Sequence, residues 1–311
     1  MMDAIVVENS TKYYGEFLAV DHLNFSVKCG ELFGFLGPNG AGKTTTVRML
    51  CGLTRISSGE AYVAGYSPLR ELKLVKKSVG LVPDISNLYS ELTCIENLVF
   101  MGEMYGLNRR EREKRARELL EFFGLIDKKD SKFGRLSKGQ KRRLTIAAAL
   151  MHNPKILFLD EPTIGLDVTG KRMIWNLIRK LNEEGITIFL TTHNIYEAFN
   201  LCDRIAVINK GKLTAVGSPA ELKRKFSGSE VLEVSFTKKN SMTMEDISKI
   251  PGVIEVSQSG GSFKIIVSDP LFVMEELARR ARSKGASLNY VNLRGADAEE
   301  VFLRIIGESD A

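Results

Sequence analysis

Residues 37–44 read Gly37-Pro38-Asn39-Gly40-Ala41-Gly42-Lys43-Thr44. They follow a strand-like apolar run, Leu32 to Leu36, and precede a helix-like run, Thr45 to Leu53. The stretch fits the pattern GxxxxGK followed by Ser or Thr, in which glycines let backbone N–H groups approach phosphate oxygens without Cβ clashes. The following helix points its partly positive N-terminus at the same anion. The sequence therefore predicts a strand, a phosphate-binding loop and a helix, and with them a nucleoside triphosphate site.

Within this loop, Lys43 is placed to reach the β- and γ-phosphates, and the hydroxyl of Thr44 is placed to hold Mg²⁺. The predicted nucleotide-binding residues of the loop are Gly37, Pro38, Asn39, Gly40, Ala41, Gly42, Lys43, Thr44 and Thr45. A chance glycine turn before a helix is the alternative, and the three glycines followed by Lys-Thr disfavour it.

The bulk composition narrows the class of protein. A chain of 311 residues is longer than one typical core needs, which favours one large domain plus a smaller one. The net charge of +6 is mildly basic. In the most basic run, residues 109–117, Glu111 and Glu113 stand four residues before Arg115 and Arg117. This order favours helix ion pairs, so the run predicts a solvated helix face rather than a nucleic-acid surface.

The cysteines and the apolar runs point to a cytosolic chain. Cys29, Cys51, Cys94 and Cys202 have no CxxC spacing, which argues against a zinc site and a disulfide framework. No stretch approaches the ~20 apolar residues of a membrane span, and the first residues lack the pattern of a signal peptide. Any membrane role is therefore expected to come through a partner.

The first part of the chain alternates β-branched runs with helical patterns, which is typical of an α/β domain with a mainly parallel sheet. The strand candidates are Ala4 to Val7, Leu32 to Leu36, Val79 to Val82, Ile156 to Leu159, Thr187 to Thr191 and Arg204 to Ile208. The residues from about 92 to 150 lack such runs and predict an inserted helical subdomain. We expect this first domain to span residues 1–228.

After residue 228, short alternating strands are separated by helices. The candidates are Leu232 to Phe236, Val253 to Val256, Phe263 to Val267 and Leu288 to Leu293. Asp269-Pro270 reads as an N-cap with proline at the first helical position, and Gly285 can end that helix. Residues 229–311 therefore predict a small α+β domain with a split-βαβ, ferredoxin-like arrangement.

Two further segments place polar side chains at strand ends. Asp160 and Glu161 directly follow an entirely apolar strand candidate, and His193 also ends a strand-like run. Ligands of open α/β sheets bind at the carboxyl ends of strands. Asp160 is therefore a candidate Mg²⁺ ligand, and Glu161 is a candidate for polarising the water that attacks the γ-phosphate. His193 is a candidate for orienting that water, whereas His22 and His152 are interpreted as packing or surface residues.

Residues 136–140 read LSKGQ and precede a basic and alanine-rich helical run. Ser137 is a good N-cap and Gly139 allows close backbone approach, as at a second phosphate-facing helix start. The segment stands before the Asp160-Glu161 strand, and in this order the chain closely resembles ATP-binding cassette ATPases over roughly residues 3 to 225. The resemblance covers the phosphate loop, the LSKGQ signature, the acidic strand, a D-loop at Gly165 to Asp167, and His193 as the switch histidine.

The resemblance implies an ATPase that works as a pair of subunits. Each ATP then lies between the phosphate loop of one subunit and the signature of the other, so Ser137, Lys138, Gly139 and Gln140 act on the partner's ATP. It also implies that Tyr14 stacks on adenine, with Tyr13 as the competing choice. Stacking recognises a π-face, so it favours adenine without strict base readout.

The chain departs from the commonest pattern of the family at two positions. Asp84 stands where the family usually has a glutamine that senses Mg²⁺ and contacts the membrane partner. Aspartate still offers an oxygen to Mg²⁺, although it is shorter and has no donor. Lys138 stands where glycine is most familiar, and its ammonium either adds attraction to phosphate or faces solvent.

The order of cassette, small tail and no membrane span further resembles the stand-alone ATPases of ABC-2-type exporters, including drug-resistance exporters. The leading hypothesis is a cytoplasmic ATPase, peripheral on the inner face of the cell membrane, that uses ATP and Mg²⁺ and pairs with a separate multi-span permease. The groove for that permease is expected around Leu92 to Phe123 and the Asp84 loop. The alternatives are a soluble cassette ATPase acting on DNA or ribosomes, and a P-loop kinase or small GTPase.

Overall fold

The protein is described by a computed structural model, in which residues 3–226, 230–238, 242–259, 261–294 and 298–310 are placed. The chain forms two compact units, residues 1–219 and 220–311. The boundary predicted after residue 228 lies later in the chain than this division, which groups residues 220–226 with the second unit.

The described part of the chain forms thirteen strands. They are β1 (Asp3–Tyr14), β2 (Phe17–Lys28), β3 (Leu32–Leu36), β4 (Ser58–Val63), β5 (Val79–Val82), β6 (Ile156–Asp160), β7 (Thr187–Thr192), β8 (Arg204–Asn209), β9 (Lys212–Gly217), β10 (Glu230–Phe236), β11 (Val253–Ser259), β12 (Ser262–Val267) and β13 (Leu288–Arg294).

The helices connect them in this order. They are α1 (Lys43–Leu50), α2 (Leu72–Ser78), α3 (Cys94–Met104), α4 (Arg109–Phe122), α5 (Lys138–Ala149), α6 (Val168–Glu183), α7 (Ile195–Leu201), α8 (Pro219–Phe226), α9 (Met244–Ser248), α10 (Pro270–Ser283) and α11 (Ala298–Asp310). Short 3₁₀ turns lie at Ile126–Lys128 and Phe133–Arg135.

The main sheet of the first unit has the strand order β5-β6-β7-β3-β8-β9. Its first five strands are parallel, and β9 runs antiparallel to β8. Every residue of β3, β6 and β7 is buried, as expected for central parallel strands covered on both faces. The predicted mixed α/β fold with a mainly parallel sheet is confirmed.

A second, antiparallel sheet of the first unit was only partly foreseen. It has the strand order β2-β1-β4, and only residues 4–7 of it were predicted as a strand. Its inner face packs on the main sheet: Phe25 of β2 stacks on Phe33 of β3 at 5.7 Å between ring centroids. Phe189 of β7 contacts the same cluster of rings. The two sheets thus share one aromatic core beneath the phosphate loop.

The helical insert is built from α3, α4 and α5. Each begins with a capping box, in which the N-cap side chain and the side chain three residues on bond each other's backbone N–H groups. The N-caps are Thr93, Asn108 and Ser137. The basic run lies on α4 as predicted, but its ion pairs differ from the expected ones. Arg109 pairs with Glu113 and Arg115 with Glu118, and Glu111 belongs to the capping box.

The second unit contains an antiparallel sheet with the order β11-β12-β10-β13. In chain order its core reads strand, helix, strand, strand, helix, strand, which is the predicted ferredoxin-like arrangement. Its own apolar core includes Leu232, Ile265 and Leu277. The side chain of Asp269 caps α10, as predicted.

None of the helices in the described part of the chain combines the length and apolar content that crossing a bilayer needs.

Candidate functional site

The phosphate loop joins β3 to α1 along the predicted path. Gly42, the N-cap of α1, has a φ of 107°, which side chains rarely adopt. Gly37 is constrained by space instead, because a Cβ there would lie 2.3 Å from the carbonyl oxygen of Ile208. Gly40 has a positive φ of 81° as well, so all three glycines of the motif are required by the backbone of this chain.

The ammonium of Lys43 lies inside the loop and is almost fully buried. It donates hydrogen bonds to the carbonyl oxygens of Gly37 at 2.8 Å and Pro38 at 3.0 Å. Its third neighbour is Oε1 of Glu161, at 3.3 Å. Lys43 therefore connects the phosphate loop to the carboxylate that follows β6.

Glu161 is held between two basic side chains by an unusual backbone conformation. Its φ is +48°, in the left-handed region that non-glycine residues seldom occupy. Its N–H donates to the carbonyl oxygen of Thr191 at 3.1 Å, which fixes the turn after β6. One carboxylate oxygen contacts Lys43, and the other lies 2.8 Å from Nδ1 of His193. A strained residue with such partners is typical of a functional site.

Asp160 ends β6 and is buried beside β7, where Thr191 donates a hydrogen bond to its Oδ1. The described residues contain no cluster of three or more His, Cys, Asp or Glu side chains that would hold a metal alone. Mg²⁺ is commonly bound by one or two protein oxygens together with substrate phosphates and water. A hydroxyl at Thr44 and a carboxylate at Asp160 fit that kind of site.

The loop opens into a cleft of about 400 Å³. It is lined by the predicted residues Tyr14, Asn39, Gly40, Gly42, Lys43, Thr44, Thr45, Asp84 and Glu161, and by Phe17, Ala19 and Ile164. Gly37, Pro38, Ala41, Asp160 and His193 lie beside it or beneath it rather than among the residues lining it. Tyr14 lines the cleft and Tyr13 does not, which favours Tyr14 for stacking. The exposed ring of Phe17 was missed because it precedes no recognised motif.

Asp84 faces both this cleft and a smaller cavity next to α5. Its Oδ1 accepts a hydrogen bond from the N–H of Ile85 at 2.8 Å, so the carboxylate folds onto its own loop. Its position at the rim is compatible with the predicted role, and the role as a Mg²⁺ ligand stays a prediction.

The signature residues lie in a different groove, of about 410 Å³. This groove is lined by Ser137, Lys138, Gly139 and Gln140 together with Asp167 and its neighbours, and it includes no residue of the phosphate loop. Ser137 and Gln140 cap α5 by bonding each other's backbone N–H groups. Asp167 caps α6 by a single bond, in which its Oδ1 accepts from the N–H of Gly170 at 2.8 Å. One chain therefore presents the loop and the signature in separate grooves.

Arg142 is a site residue that the sequence analysis missed. It belongs to a basic run to which the sequence assigned no role, and only 8% of it is exposed. Its guanidinium bonds the backbone around Asp84, Asp160 and Glu161. Burial lowers the pKa of Arg142 to about 10, and the nearby Asp160 and Asp84 carboxylates oppose this shift.

Glu197 on α7 is a second buried charged residue that was missed. Its Oε1 accepts hydrogen bonds from the hydroxyl of Thr163 at 2.8 Å and from the indole of Trp175 at 2.9 Å. These bonds tie together the segment after Glu161, helix α6 and the helix that follows His193. Burial raises the pKa of the Glu197 carboxyl, although the hydrogen bonds to it act in the opposite direction.

The chain is similar in sequence to known proteins. A family model described as ABC transporter matches residues 20–164. The linearmycin resistance ATP-binding protein LnrL of Bacillus subtilis is 37% identical over 304 residues, which cover 97% of this chain and 98% of that protein. The Nod factor export ATP-binding protein I of Burkholderia lata is 40% identical over 300 residues, which cover 96% and 95% of the two proteins.

Solved structures show the same similarity in the fold. One is the dimeric structure of a post-hydrolysis state of the ATP-binding cassette MJ0796, bound to ADP and Pi. It matches with a TM-score of 0.63 and 31% sequence identity, and covers 69% of this chain and 98% of that chain. The match supports the cassette fold.

The raised pKa of Glu197 gives a prediction for stability. The folded protein binds this proton more tightly than the unfolded chain does, so its free energy of unfolding falls as pH rises from the ordinary glutamate range through the raised pKa. Glu197→Gln keeps an acceptor for Thr163 and Trp175 and removes this fall. Urea unfolding over a pH series should therefore show the variant gaining stability relative to the parent as pH rises. Glu183→Gln, at an exposed position, is the control, and a pH-independent difference for Glu197→Gln would contradict the prediction.

Proposed function

This chain belongs to the ATP-binding cassette family of ABC transporters, and on that basis we propose that it binds and hydrolyses ATP to drive export through a permease on a separate chain. The observation that carries the proposal is the contact of the Glu161 carboxylate with both Lys43 and His193 at the mouth of the phosphate loop. Because the chain belongs to this family, the hypothesis of a P-loop kinase or small GTPase is rejected. The DNA or ribosome hypothesis finds no support in relatives named for export and resistance.

The cleft has the parts that ATP binding needs, in a suitable order. Tyr14 and Phe17 offer aromatic faces at the outer end, and Lys12 lies over the Tyr14 ring at 4.8 Å. The N-terminus of α1 and the glycine-rich loop offer N–H groups at the inner end. We expect adenine on Tyr14 and the phosphates in the loop.

Binding of the phosphates is expected to change the partners of Lys43. The β- and γ-phosphates are stronger acceptors for its ammonium than a single carboxylate oxygen at 3.3 Å. Once Lys43 turns to them, Oε1 of Glu161 is free to accept a hydrogen bond from a water. His193 still holds the other oxygen, so the carboxylate keeps its orientation. Thr44 and Asp160, with Asp84 at the rim, would hold Mg²⁺, which would neutralise charge at the phosphates.

The separate location of the signature supports a site shared by two copies. Apart from its chain neighbours and the backbone of its own helix, no described residue places an atom within 4 Å of where a Cβ of Gly139 would stand. Nothing in the fold of one chain therefore requires glycine there, whereas a closely approaching nucleotide on a second copy would. We propose that Ser137, Lys138, Gly139 and Gln140 meet the partner's ATP, with Asp167 beside them.

A surface on the helical insert is suited to a membrane partner. Four apolar side chains on the Asp84 loop and at the end of α3 are exposed: Ile85 78%, Tyr89 54%, Met104 68% and Tyr105 36%. We call this set the insert surface. The loop is held to α3 by Asn97, whose side chain bonds the N–H and the carbonyl oxygen of Tyr89. We propose that this surface receives the permease and so keeps the chain at the inner face of the membrane.

The role of Glu161 is tested by Glu161→Gln. An amide keeps the shape of the side chain but is a much weaker acceptor for the attacking water. We expect ATP affinity to be retained, turnover to fall by roughly a hundredfold or more, and ATP to trap a stable dimer visible by size-exclusion chromatography. Glu183→Gln, an exposed change on α6, should leave all three unchanged. Normal turnover in Glu161→Gln would overturn the assignment.

The permease is tested by purification from detergent-solubilised membranes of the native cell. A tagged chain should recover a multi-span membrane protein, and nuclease treatment should not release it. Met104→Asp on the insert surface should reduce the recovery, whereas Leu53→Asp, an exposed apolar residue outside that surface, should not. Recovery of nucleic acid with salt-dependent release, and of no membrane protein, would instead favour the DNA or ribosome hypothesis.

A further inference from the structure

Arg142 makes three hydrogen bonds, and all of them end on backbone next to the residues of the reaction. Its Nε donates to the carbonyl oxygen of Pro162 at 2.8 Å, and its Nη2 donates to that of Asp160 at 2.8 Å. Its Nη1 donates to the carbonyl oxygen of Pro83. One guanidinium thus holds the residues on both sides of Glu161 and the residue before Asp84.

This arrangement explains how Glu161 keeps its strained backbone. A left-handed residue with a side chain persists only when its surroundings hold it in place, since the conformation is unfavourable in isolation. The N–H of Glu161 is bonded to β7, and the carbonyl groups before and after Glu161 are bonded to Arg142. The planar fork of arginine fixes the directions of several bonds at once, which a lysine ammonium cannot do.

Arg142 also lies on the helix that the signature begins. Ser137 is the N-cap of α5, and Arg142 follows it by about one and a half helical turns. A helix transmits a displacement of its first turn to the side chains behind it as a nearly rigid body. The same residue therefore connects the groove that faces the partner's ATP with the carboxylates that face the chain's own ATP.

We propose that Arg142 is a positioning residue that sets the Glu161 and Asp84 loops from the signature helix, and so couples the two shared ATP sites. The inference rests on the proposed ATPase function and adds to it a residue that touches neither nucleotide. Removal of a purely structural anchor would also destabilise the protein. Such a removal would not change the turnover of those molecules that still fold and bind ATP.

The test uses Arg142→Lys and Arg142→Ala in the full chain. We expect the turnover number, counted per ATP-binding molecule, to fall by roughly tenfold to a hundredfold, because small displacements of reacting groups have effects of that size. The KM for ATP should change by no more than about threefold, since neither the phosphate loop nor Tyr14 contacts Arg142. Millimolar guanidinium ion should restore part of the activity of Arg142→Ala, and ammonium ion should not.

The matched control is Arg204→Lys. Arg204 is also partly buried and donates to Glu31 and to the carbonyl oxygen of Ser26, away from the cleft. The Arg204→Lys variant should lose a similar amount of folding stability as Arg142→Lys and keep the turnover number of the parent. Wild-type turnover in Arg142→Lys would overturn the inference. So would a loss of activity that is fully explained by a smaller fraction of folded protein. If the unmodified protein does not hydrolyse ATP, the proposed function fails instead.

Discussion

The pairing register of three parallel strands determines where the chemistry lies. Leu36 of β3 pairs with Thr192 of β7, and Asp160 of β6 pairs with Thr191 of the same strand. Gly37 follows β3, His193 follows β7 and Glu161 follows β6. The phosphate loop, the histidine and the carboxylate therefore meet at one edge of the sheet. A slip of one residue in either pairing would turn these side chains to the opposite face of the sheet. The buried aromatic and aliphatic core that fixes this register is therefore also what aligns the site.

Much of this could be predicted from sequence, because the determining signals are local. The loop of residues 37–44 carries its own glycines and lysine, and the apolar runs before Asp160 and His193 are long enough to mark buried strands. Parallel strands place their carboxyl ends together, so the meeting of Lys43, Glu161 and His193 follows once the strands are recognised. Helix N-caps such as Ser137 and Asp269 could be predicted for the same reason, since the capping side chain and the backbone N–H that it bonds are three residues apart.

The remainder depended on contacts distant in sequence. Arg142 stands between Lys141 and Arg143 in a basic run, and only its hydrogen bonds to backbone near the ends of β5 and β6 show that it is buried. Glu197 is similar: its partners Thr163 and Trp175 lie on two other segments. The antiparallel sheet of β1, β2 and β4 was missed in large part because its strands carry many polar residues and are broken by register shifts. Such strands become recognisable only through their pairing.

Each ATP site is expected to be completed by a second copy, because one chain keeps its loop and its signature in separate grooves. The most direct test mixes two inactive variants, Lys43→Ala and Ser137→Arg, and measures ATP hydrolysis. In a mixed dimer, one site combines an intact loop with an intact signature, whereas both sites of either pure dimer are defective. We predict activity in the mixture well above that of either variant alone. Activity that stays at the average of the two would contradict a shared site.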